Sequence, residues 1–101
     1  MAIIQFSVAP LGTGQTSLSS YVADIHRVLA EEGIEAQLTP MSTIIEGPLE
    51  TLLGVIAKVH ELPFASGADR VLTVIQIDDR RDKPAAAAAK VASVREKLGR
   101  A

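Results

Sequence analysis

The sequence predicts an α+β fold built on the split βαβ pattern, and three observations predict it. Strand-like runs stand near the start of the chain and after residue 68, two amphipathic helical stripes lie between them, and an extended segment broken by Pro40 separates the stripes. A chain of 101 residues supplies one modest hydrophobic core, so a single domain is expected over 1–101. Hydrophobic residues make up 48% of the chain but aromatics only 3%, which leaves Ala, Val, Ile and Leu to build that core around Phe6, Tyr21 and Phe64.

Residues Ala2 to Ala9 (AIIQFSVA) place Ile4, Phe6 and Val8 on one face and Ile3, Gln5 and Ser7 on the other, a strand with one buried face. From Ser17 to Glu32, apolar residues recur at Leu18, Tyr21, Val22, Ile25, Val28 and Leu29, and Gly33 stands where a left-handed C-terminal cap belongs. Glu35 to Gly47 is extended in character, but Pro40 cannot donate to a ladder, so two strands meeting in a turn near Pro40 to Thr43 are expected. Gly47 and Pro48 read as N-cap and first helical position of a second helix, striped by Leu49, Leu52, Leu53, Ile56 and Val59 and ending near His60. The segment DRVLTVIQID carries apolar groups on both faces, as a strand does when it is central or covered by a partner. A charged turn (DDRRDK) leads to Pro84, which opens an alanine-rich helix over about 84–99 with Val91, Val94 and Leu98 as a sparse apolar seam.

In order these elements make a ferredoxin-like βαββαβ sandwich with an additional C-terminal helix. Two helices cover one face of such a sheet. Ile3, Met41, Leu72 and Val74 fall on the second faces of the strands, and an exposed apolar patch of that kind predicts a homo-oligomer built sheet against sheet.

Several function classes are disfavoured by composition. A formal net charge of −2 and three aromatic residues give no footprint for nucleic acid or an anionic membrane. With no cysteine there is no disulfide or thiolate chemistry. No signal-like or membrane-spanning run stands out, so a cytoplasmic location is expected. The stretch PLGTGQTSLSSY resembles a phosphate loop in its glycines and hydroxyls, but no Lys follows Gly12 or Gly14, and Arg27 lies too far along the helix to serve. His26 and His60 lack the i+4 partner of helical metal sites, and no base stands at nucleophile spacing, so neither a metal, a cofactor nor catalysis is expected.

Four segments (IIQFSVAPLG, TSLSSYV, LTPMSTIIEG and IDDRRDKP) together resemble the small thiamine-binding protein family over nearly the whole chain, most specifically in PMSTIIEG and DDRRDKP. The resemblance implies a ferredoxin-like dimer or tetramer that binds thiamine or its hydroxymethylpyrimidine half without catalysis. An aminopyrimidine needs donors and acceptors at its edge, and a thiazolium cation needs a carboxylate or a π face. Met41, Ser42, Thr43 and Glu46 are the candidate ligand-binding residues, Glu46 supplying the carboxylate. Glu46 also has a bland role open to it, favouring the dipole of the second helix. Ser42 and Thr43 have one in turn chemistry, and Met41 in filling a core gap. Ser17 and Ser20, most simply caps of the first helix, border the same site. The rival expectation is a structural or interaction protein whose sheet face only mediates oligomerisation. An enzyme acting on a thiamine-like heterocycle ranks last.

Overall fold

The computed structural model describes residues 1–82 and 87–99. The elements run β1 (Ala2–Leu11), α1 (Ser19–Glu31), β2 (Ala36–Leu38), β3 (Thr43–Gly47), α2 (Leu49–His60), the single turn α3 (Leu62–Ala65), β4 (Arg70–Asp79) and α4 (Ala87–Gly99). The sheet is antiparallel throughout in the order β2-β3-β1-β4, the ferredoxin-like order that the sequence predicts. Pro84 and the first alanines of the expected last helix lie outside the described residues.

Register divides the sheet into two faces. Ile4 pairs with Ile45 and Ile77, and Phe6 with Thr43 and Ile75, so these residues share the face beneath α1 and α2. There Ile4, Phe6, Val8 and Ile45 close against Ile25 and Leu29 of α1 and Leu52, Val55, Ile56 and Val59 of α2 in one apolar cluster. Ile4, Leu29 and Val59 are fully buried, each such side chain contributing about 1.5–3 kcal/mol through the apolar surface it removes from water. The other face carries Ile3, Gln5, Ile44, Glu46, Leu72, Val74 and Gln76.

Local chemistry accounts for the element ends. α1 stops in the two hydrogen bonds of a Schellman motif, Ile34 N–H to Leu29 C=O at 2.9 Å and Gly33 N–H to Ala30 C=O at 3.0 Å. Gly33 makes it possible at φ 73°, a conformation costly for any residue with a Cβ. The β2–β3 connection, Thr39–Ser42, is locked by the Thr39 hydroxyl, which donates to Ser42 C=O at 2.8 Å and accepts from Ser42 N–H at 3.1 Å. At the end of β4 the charges neutralise one another: Arg81 pairs with Asp79, Arg80 with Asp82, and Lys90 of α4 with Asp78.

Three expectations change. β4 is an edge strand, not a central one; its two apolar faces lie at the rim, where Leu72, Val74, Ile75 and Ile77 are all exposed. Met41 sits in the β2–β3 connection, off the open sheet face. The N-caps move by a residue or more: Pro48, extended at φ −63° and ψ 132°, caps α2, while Leu18 stands at the N-cap of α1 without a side-chain bond. The Ser17 hydroxyl meets that of Ser19 at 3.4 Å, so the expected serine cap does not form. Beyond α2 the chain makes the single turn α3, followed by a hydrogen bond from Ala68 N–H to Pro63 C=O at 3.0 Å.

Candidate functional site

β1, α1 and the β2–β3 hairpin converge on a groove of about 960 Å³, at the upper end of the range for small-molecule sites. Its floor is the Phe6–Ala9 stretch of β1, one wall is α1 from Leu18 to His26, and the other is the hairpin from Leu38 to Thr43. The α1 wall follows from the helical stripe: Leu18, Val22 and Ile25 point inward at 3.6-residue spacing, and His26, four positions after Val22, extends the flank of that stripe. The hairpin wall follows from Pro40 and the Thr39 lock, which hold Met41 and Ser42 over the opening.

The polar centre of the groove is a pair absent from the sequence expectations. His26 Nε2 lies 3.0 Å from Thr43 Oγ1, linking α1 to β3 across 17 positions. Thr43 is only 6% exposed, because it faces the helix layer opposite Phe6, and its hydroxyl would lack a partner there without the imidazole. Ser19, Thr39 and Ser42 add hydroxyls that can donate or accept. Among the lining residues there is no carboxylate, ammonium or guanidinium; His26 is the one titratable side chain.

The six candidate residues separate. Met41, Ser42 and Thr43 all line this groove, Met41 exposed at its rim and Thr43 buried at its base. Ser17 and Ser20 flank it without lining it, and Ser19 between them does. Glu46 stands on the opposite face of the sheet, where its Oε2 accepts the backbone N–H of Ala87 at 3.0 Å. Its dipole partner is thus α4, not α2; Glu50 occupies the first turn of α2. Glu46, Glu35, Gln37 and Arg95 border a second groove of about 930 Å³ between the open sheet face and α4. Gly12 and Gly14, at φ 74° and 75°, serve as hinges of the loop before α1, with open space around both. No cluster of three potential metal ligands occurs among the described residues.

A family model described as "Thiamine-binding protein" matches residues 4–95. The chain belongs to the thiamine-binding protein family. The groove lies within the matched span. The chain is 48% identical over 102 residues to the UPF0045 protein YqgV of Bacillus subtilis, covering 97% of this chain and 98% of that one. It is 39% identical over 99 residues to a UPF0045 protein of Methanothermobacter thermautotrophicus, covering 97% and 100%. Among solved structures it resembles hypothetical protein MJ1052 of Methanocaldococcus jannaschii, with a TM-score of 0.83 at 28% identity over 94% of this chain and 96% of that one. This thiamine-binding family member has no helix among its described residues long and apolar enough to cross a membrane.

Proposed function

We propose that this chain binds thiamine or its hydroxymethylpyrimidine moiety, without turnover, in the groove between α1 and the β2–β3 hairpin. One observation carries the proposal: in a member of the thiamine-binding family, a groove walled by apolar side chains brings the His26–Thr43 pair together with the hydroxyls of Ser19, Thr39 and Ser42. A flat aminopyrimidine presents amino donors and ring-nitrogen acceptors at its edge, and hydroxyls and an imidazole supply both complements. Its faces suit Val22, Met41 and the other apolar walls. With no anion in the groove, the thiazolium cation is best placed at the open rim beside Met41, where water still solvates it.

The binding unit is a homo-oligomer in this proposal. Leu72 and Val74, 53% and 55% exposed on an edge strand, favour cover by a second copy over exposure to water. The ligand assignment is tested by titration calorimetry with thiamine, hydroxymethylpyrimidine and thiamine pyrophosphate. Saturable one-site binding of thiamine or the pyrimidine, with both compounds recovered unchanged, supports it. An absence of heat at about 1 mM, where complexes of about −4 kcal/mol still register, removes it.

A further inference from the structure

His26 combines two properties that no other groove residue has: it anchors the buried hydroxyl of Thr43, and it is the one lining side chain that can carry a charge. We propose that His26 is the specificity-determining residue of the groove, admitting a cationic ligand while its ring is neutral and rejecting it once the ring is protonated. This inference rests on the thiamine assignment and deepens it.

The surroundings of the ring carry it. β1 presents Phe6, Ser7, Val8 and Ala9 to the groove, and the hairpin presents Leu38 to Thr43, none of them ionisable. On α1 itself Asp24 and Arg27 flank His26, but they pair with each other on the exposed side and neither lines the groove. A protonated His26 therefore has no counter-ion among the described residues of the groove, and a thiazolium at the rim of that groove adds a second positive charge that nothing there compensates. Protonation also makes both ring nitrogens donors. The ring then accepts nothing, neither the Thr43 hydroxyl proton nor an amino hydrogen of the ligand. Both effects have the same sign, and linkage makes them reciprocal: a cation that binds the neutral form better must make His26 harder to protonate.

The test follows the His26 ring protons by NMR from about pH 5 to 8, with and without saturating thiamine, alongside calorimetry on wild type and His26→Gln. Gln keeps a side chain able to reach a hydroxyl but cannot charge. The expected result is a His26 midpoint about one pH unit lower with thiamine bound, and a thiamine affinity about tenfold weaker at the acid end in wild type than in His26→Gln. Titration of the ligand itself appears equally in both proteins and cancels. A midpoint that thiamine leaves in place or raises overturns the inference while the thiamine assignment stands. Failure of thiamine to bind either protein at any pH overturns both. The wild-type NMR titration decides the matter even where His26→Gln does not fold.

Discussion

The carboxylate of Glu46 accepts the backbone N–H of Ala87 at 3.0 Å, joining β3 to the start of the described part of α4 across 41 positions. α4 has no buried side chain, and this bond and the Lys90–Asp78 pair help tie it to the sheet. Glu46→Ala is expected to raise amide exchange in the first turn of the described part of α4 about fivefold, since a carboxylate at a helix N-terminus is worth about 1 kcal/mol. Thiamine affinity is expected to stay within about twofold, because Glu46 lies across the sheet from the groove. Exchange mass spectrometry and calorimetry read the two effects separately.

Thr43→Val keeps shape and removes the hydroxyl that His26 meets. A half-buried imidazole losing its partner is expected to cost about 1–3 kcal/mol of stability, read as a lower urea midpoint at unchanged slope. Thr43→Ser is expected to restore most of that stability and, with it, ligand affinity.

Val74 stands exposed on the outer strand, and a positive charge there is hard to bury between two copies. Wild type is expected to show by light scattering a multiple of the 10.7 kDa chain mass, and Val74→Lys a shift toward the single chain. A wild-type mass of one chain would leave the apolar edge without its proposed cover.

A hydrogen bond from Arg81 holds the Asp79 carboxyl below its ordinary value. A carboxyl depressed in the folded state stabilises above its unfolded pKa, and that contribution disappears as pH falls through the lower folded one. Asp79→Asn is therefore expected to flatten the acid limb of a stability-against-pH curve, with little change at pH 7 because the Arg81 side of the pair lies in solvent.

What the sequence made legible was what short-range rules control. Gly33 ends α1 because only a glycine enters the left-handed region cheaply, and Pro40 interrupts pairing because it has no N–H; both effects are visible within a few residues. The position of β4 was not legible in that way. Apolar residues on both faces describe a central strand and a rim strand waiting for a partner equally well, and only the pairing of β1 with both β3 and β4 separates them. Met41, Ser42 and Thr43 were legible as a segment, but Glu46, three positions on, is carried by strand alternation to the other face. His26 was passed over because its partner is 17 positions away and depends on Thr43 facing the helices. Its place beside the apolar stripe of α1 was the one available signal.

The central claim, that the α1–hairpin groove is where this family member holds its ligand, is tested most directly by titrating labelled protein with thiamine and following backbone amide NMR shifts. Saturable shifts concentrated at Ser19, Val22, His26, Ser42 and Thr43, with Gln37, Glu46 and Arg95 unmoved, are the predicted result. Shifts concentrated instead around Gln37, Glu46 and Arg95, in the groove beneath α4, would contradict it.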